Sequence, residues 1–220
     1  MINLSHIYKT YTGPVHALRD INFDIDKGEF VFLTGPSGAG KTTLFRMISA
    51  FDRPTSGQIQ VNGVSLDSLS GSEIPFYRRK IGVVFQDFKL LKNRTIYQNV
   101  ALPLEIRGES PSVIRAKVND TLDLFGLSSK SNQYPEFISG GEQQRTAIAR
   151  AIIHQPFVLI ADEPTGNLDH PLAQEIMNVL EQICAQGTTV FVATHDTYLI
   201  ERYKKRRIEI KDGTIQGPTL

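Results

Sequence analysis

One cysteine stands among 220 residues. A chain whose only thiol is Cys184 closes no internal disulfide and builds no cluster of thiolate metal ligands. Cys184 falls in a helical pattern and reads as a small core residue. The five histidines are scattered, with no pair at metal-ligand spacing. Excess charge is missing too, because 24 Lys and Arg face 23 Asp and Glu. That balance gives a polyanion no long-range pull, and no nucleic-acid partner is expected. No apolar run approaches the ~18 residues of a membrane-spanning helix. Met1 leads straight into an alternating segment, so no secretory signal is expected. These absences lead to the expectation of a soluble, cytoplasmic protein. The length suits one α/β domain, with room for an inserted subdomain.

What is present centres on Gly35, Pro36, Ser37, Gly38, Ala39, Gly40, Lys41, Thr42 and Thr43, which fit the phosphate-loop pattern G-x-x-x-x-G-K-[ST]. The apolar run 30–33 precedes it as a buried strand, and a helical pattern over 43–48 follows. Glycines let several N–H groups converge on one anion, and the helix start adds its positive dipole end. Lys41 supplies a point charge for the β- and γ-phosphates, and the Thr42 hydroxyl is a ligand for Mg2+.

Elsewhere, residues 2–8 alternate, with Ile2, Leu4 and His6 on one face. Residues 18–26 alternate through Ile21, Phe23 and Ile25, and 59–61 form a short strand before the turn Asn62-Gly63. The front third therefore reads as an antiparallel sheet beside a parallel core. Run 157–161 is apolar throughout, as a strand covered on both faces is, 81–85 is another buried run, and 189–194 is the last core strand. From 88 to about 155 the pattern is almost wholly helical, which makes 88–155 the inserted subdomain. Residues 171–185 form another helix, and 208–215 a hairpin on Asp212-Gly213. The basic run 204–207 reads as a solvated surface.

Four buried strands end in distinctive groups: the phosphate loop, Gln86, Asp162-Glu163 and His195. Ligands of open parallel sheets bind beyond the carboxyl ends of the strands, so these groups are expected around one ligand. Asp162 is placed to hold Mg2+, and Glu163 to orient the water that attacks the γ-phosphate. A pair of helix-capping acids is the plainer reading of both. Gln86 suits contact with metal and water, and His195 with the γ-phosphate, its tautomer fixed by Asp196. Ser139, Gly140, Gly141 and Glu142 fit a capping box, S-x-x-E. The two adjacent glycines also leave bare N–H groups at a dipole end, a second anion site.

In that order, the groups resemble an ATP-binding-cassette ATPase over essentially the whole chain. The phosphate loop resembles Walker A, Gln86 the Q-loop, residues 138–142 the family signature and 159–163 Walker B. Asn167, Leu168 and Asp169 resemble the D-loop, and His195 the switch histidine. Ile138 and Glu142 depart from the usual Leu and Gln of the signature, and capping geometry points Glu142 back to its own helix start. Tyr11 sits where the family stacks an aromatic on adenine, with Tyr8 as its rival.

The resemblance implies a P-loop NTPase of α/β class. It has a RecA-like parallel core with an antiparallel β subdomain (1–87 and 156–220) and the helical subdomain (88–155). It also implies Mg2+-dependent ATP hydrolysis in a head-to-tail homodimer. There Ser139 and Gly141 contact the γ-phosphate bound by the second copy. Within the family, residues 73–79, 139–145 and 164–169 are similar to a branch that energises partners working across the cell envelope. That implies an integral membrane subunit, a place on the cytoplasmic face of the membrane, and a role in cell division and wall remodelling. A lipoprotein-release or macrolide-efflux relative is the alternative. Phe88, Leu90 and Leu91 are candidates for the groove that receives the membrane partner, or else plain core.

Overall fold

The computed structural model describes residues 1–11, 16–166 and 168–217, so Asn167 of the D-loop stretch lies outside the described residues. In chain order the elements are β1 (Ile2–Thr10), β2 (His16–Ile25), β3 (Phe30–Thr34), α1 (Lys41–Ile48), β4 (Ser56–Val61), β5 (Val64–Ser65), α2 (Ile74–Arg78) and β6 (Ile81–Val84). There follow α3 (Ile96–Arg107), α4 (Pro111–Leu124), α5 (Gly140–Ile152), β7 (Val158–Asp162), α6 (His170–Ala185), β8 (Thr189–Ala193), α7 (Thr197–Tyr203), β9 (Arg206–Lys211) and β10 (Thr214–Ile215). One sheet has the order β2-β1-β4-β5 and is antiparallel throughout. The other has the order β10-β9-β3-β8-β7-β6, parallel from β9 to β6.

The continuous apolar runs have a direct cause. Successive side chains of a strand face opposite ways, and here each face has its own core. Val31, Leu33, Val158, Ile160, Phe191 and Ala193 join the core shared with the antiparallel sheet and α1. Their neighbours Phe30, Phe32, Leu159, Ala161, Val190 and Val192 join the core shared with α3, α5 and α6. The carboxyl ends of β3, β6, β7 and β8 thus emerge side by side.

Three expectations need correction. His6 does not share the buried face of β1. A register shift between Leu4 and Ile7 turns Ile7 inward, and His6 is exposed at φ 53° beside Asp20. Opposite it, Gly57 has φ 96°, and a Cβ there would lie 2.2 Å from the His6 carbonyl oxygen. Secondly, residues 88–95 are irregular rather than helical. The buried Asn99 side chain holds this segment, accepting from Leu91 N–H and donating to the carbonyls of Leu91, Arg94 and Thr95. Thirdly, Cys184 is half-buried at the core margin, where its thiol donates to the Gly28 carbonyl and burial raises its pKa. The basic run is a surface, as expected: Lys205 pairs with Glu181, Arg206 with Glu29 and Arg207 with Glu209.

Candidate functional site

The phosphate loop joins β3 to α1 and bends where only glycine is unstrained. Gly35 has φ 144°, and a Cβ there would lie 2.0 Å from the Ile210 carbonyl oxygen. Gly40 has φ 110°, and a Cβ there would lie 2.6 Å from the Leu18 side chain and 2.9 Å from the Ala17 carbonyl oxygen of β2. The loop curls over a cavity of about 480 Å³ lined by Gly35, Pro36, Ser37, Gly38, Gly40, Lys41, Thr42 and Thr43. Gln86, Asp162, Glu163 and His195 line the same cavity, as does Ala17. Four segments far apart in sequence therefore meet at one rim. Ala39 is the exception within the loop. It is buried in the core, and its N–H is taken by the Pro36 carbonyl.

Lys41, Thr42, Asp162, Glu163 and His195 are each held by a partner at this rim. The Lys41 ammonium donates to the carbonyls of Gly35 and Pro36 at 2.7 and 3.0 Å. The Thr42 hydroxyl donates to Asp162 Oδ2 at 2.7 Å. Burial raises the Asp162 carboxyl above its ordinary pKa, opposed by the Thr42 hydrogen bond and by Lys41, with Glu163 adding to the rise. A cation delivered there reverses that penalty. Glu163 points the other way, with Oε1 2.8 Å from His195 Nδ1. Its backbone is left-handed, φ 51°, and is anchored by its N–H to the Ala193 carbonyl. Such a conformation costs a non-glycine residue about 1–3 kcal/mol and is found where a site over-determines it.

Asp196 does not touch His195. It caps α7 by accepting from Leu199 N–H, so the partner of the imidazole is Glu163 instead. Adjacent residues at a strand end diverge, and the sequence carries no mark of which acid reaches across. The predicted adenine aromatics lie off the cavity wall. Tyr11 donates to Asp52 Oδ2 at 3.0 Å, with the Lys9 ammonium 5.0 Å from its ring centre, and Tyr8 is exposed. Ala17 lines the cavity and had no sequence signal of its own.

The second glycine motif lies elsewhere. Ser139, Gly140, Gly141 and Glu142 do not line this cavity. Ser139 caps α5, and a full capping box is present. Glu142 Oε2 accepts from the Ser139 N–H and hydroxyl at 2.8 and 2.9 Å, and Lys130 stands 3.5 Å from Oε1. Glu142 thus bends back to its helix start, as its capping pattern predicts. Gly141 lies against Leu168, and Asp169 caps α6 through Leu172 N–H. The Ser139 N–H bond, more than any other contact, holds the Glu142 carboxyl below its ordinary pKa. A depressed carboxyl stabilises fully above the unfolded value and loses that contribution as pH falls through the folded one. Glu142→Gln keeps an acceptor but removes the charge. Its thermal midpoint is therefore expected to drop less than that of the wild-type chain between about pH 6 and about pH 3. Equal drops would contradict the assignment.

Chemically, the rim offers a cation and backbone amides for a polyphosphate, and a Thr hydroxyl and a carboxylate for a hard metal ion. Among the described residues, no group of three or more His, Cys, Asp or Glu is placed to hold a metal by itself. That fits Mg2+, which binds through one or two protein oxygens plus substrate phosphates.

A family model described as ABC transporter matches residues 18–166. The cell division ATP-binding protein FtsE of Bacillus subtilis (strain 168) is 52% identical over 215 residues, which cover 98% of this chain and 94% of the relative. FtsE of Mycobacterium tuberculosis (strain ATCC 25618 / H37Rv) is 48% identical over 216 residues, covering 98% and 94%. FtsE of Escherichia coli (strain K12) is 46% identical over 217 residues, covering 99% and 98%. Among solved structures, the dimeric post-hydrolysis state of the ATP-binding cassette MJ0796, bound to ADP and Pi, superposes with a TM-score of 0.93 at 37% identity. It matches 99% of this chain and 97% of that one. A second dimeric structure of MJ0796, described as a bacterial ABC transporter cassette, gives the same TM-score at 38% identity. The chain belongs to the ABC transporter family, as an ATP-binding cassette similar to the FtsE cell-division proteins.

Proposed function

We propose that the chain is the ATP-hydrolysing subunit of a cell-division complex, closing on ATP as a head-to-tail homodimer and driving an FtsX-like integral membrane subunit. The observation that carries the reading is the meeting of Lys41, Thr42, Gln86, Asp162, Glu163 and His195 around one cavity. Lys41 and the loop amides bind the β- and γ-phosphates. Thr42, Asp162 and Gln86 hold Mg2+, which supplies charge neutralisation on the phosphate oxygens. Glu163 orients the attacking water, and His195, 2.8 Å away, fixes the Glu163 carboxylate and reaches the γ-phosphate.

Ser139 and Gly141 serve the site of a second copy, which accounts for an anion-binding helix start outside the chain's own cavity. Loss of the γ-phosphate removes that bridge and lets the dimer open. Asp169 is read as the D-loop acid, following Leu168, which lies against Gly141 of the signature. Tyr11 stacks on adenine once it leaves Asp52. Residues 88–155 act as the helical subdomain, and 1–87 with 156–220 as the core.

A groove of about 470 Å³ supports the membrane partner. Phe51, Phe85, Leu102, Pro103 and Ile106 line it, with Arg78 stacked 3.9 Å over Phe51. Phe88, Leu90 and Leu91, the candidates from sequence, do not line it. A further hollow of about 620 Å³ shares Phe51 and Phe85 with the groove, and Thr42, Gln86 and Asp162 with the nucleotide cavity. Among the described residues no helix is long and apolar enough to cross a membrane. In this reading the membrane subunit holds the chain at the cytoplasmic face. Capture from solubilised membranes with ATP-loaded protein tests the reading. An FtsX-like protein is the expected catch. A lipoprotein-handling or efflux partner supports the alternative assignment and contradicts the division role.

A further inference from the structure

Arg150 lies near the end of α5, ten residues beyond Gly140, so about 15 Å of helix separates it from the signature. Its guanidinium donates to the carbonyls of Phe88 and Lys89, both at 2.7 Å. Those residues stand two and three positions after Gln86, and both are left-handed, at φ 59° and 47°. Two successive non-glycine residues stay in that region only when something holds them. Local bonds close the turn, from Phe88 N–H to the Phe85 carbonyl and from Lys89 N–H to the Asp87 carbonyl, and Asn99 holds the chain from Leu91 onward. The Lys89–Asp87 ion pair is solvent-exposed and weak, so Arg150 is the one side chain of another helix that takes the Phe88 and Lys89 carbonyls among the described residues. Burial pushes the Arg150 pKa down to about 10, so a charge is kept out of water at this joint. The same side chain borders the apolar groove.

We infer that Arg150 is a positioning residue for hydrolysis. It carries movement of the signature helix to the segment that sets Gln86 at the metal side of the cavity. When a second copy engages Ser139, α5 shifts as a rod, the paired carbonyls follow the guanidinium, and Gln86 enters or leaves the cavity. The inference rests on the proposed role of Gln86.

A double-mutant cycle in the full chain tests it. Arg150→Lys keeps the charge, but the shorter side chain ends in an ammonium that does not reproduce the planar fork across two carbonyls. The expected result is kcat down about tenfold, KM for ATP within about twofold, and a thermal midpoint near that of the wild-type chain. In a Gln86→Ala background the same substitution is expected to change kcat by less than about twofold. The same fractional loss in both backgrounds, or no loss in either, overturns the Arg150 assignment. Unchanged turnover in Gln86→Ala alone overturns the Gln86 reading as well, and is distinguishable from an additive loss. If Arg150→Lys misfolds, hydrogen exchange on the wild-type chain decides. With a non-hydrolysable ATP analogue, residues 87–91 and the last turn of α5 are expected to gain protection at one common concentration. Protection of α5 alone overturns the link.

Discussion

Glu163→Gln is expected to slow ATP hydrolysis by about 10²–10³-fold while leaving ATP affinity within a few fold. A positioned general base contributes typically that much, and the amide keeps the size and one acceptor of the carboxylate. Glu163 is poised for this use. Its left-handed backbone, φ 51°, and its 2.8 Å contact with His195 aim the carboxylate away from Asp162. The Lys41 and Thr42 side of the cavity is untouched by the change, so nucleotide still binds. Because closure depends on an intact γ-phosphate, the variant with Mg-ATP should accumulate as a dimer. Steady-state phosphate release and sedimentation check both halves. Unchanged turnover would assign the attacking water to another group.

Lys41→Ala is expected to weaken ATP binding by roughly 10–150-fold, the equivalent of ~1.5–3 kcal/mol for a charge-assisted hydrogen bond. Lys41 is buried, and its ammonium reaches back over the loop to the Gly35 and Pro36 carbonyls. Among the described residues no other Lys or Arg lines the cavity, so neighbouring charge does not compensate. Titration with a fluorescent ATP analogue measures the effect, with thermal unfolding as the control for loop integrity. Affinity retained within twofold would contradict the assignment of the loop.

Much of this site was legible because its parts are local. The phosphate loop, the capping box from Ser139 to Glu142 and the two-faced strands each depend on residues a few positions apart, and each formed as expected. Non-local contacts were the ones that hid. Whether Asp196 or Glu163 meets His195 depends on how β7 and β8 lie side by side. The outward turn of His6 depends on a bulge matched by Gly57 on another strand. Residues 88–95 have a helix-like composition but are claimed by Asn99 and Arg150, eight and about sixty positions away. Tyr11 was assigned from its place in a motif, and its hydroxyl answers to Asp52, 41 positions on.

The central claim is that one chain builds most of a triphosphate site and a second copy completes it. A structure of the Glu163→Gln chain with Mg2+ and ATP tests that most directly. The expected result is a nucleotide with its γ-phosphate between Lys41 of one copy and Ser139 of the other, with Thr42 and Asp162 at the metal. A nucleotide bound away from Lys41, or a closed site containing no residue of a second copy, would contradict it.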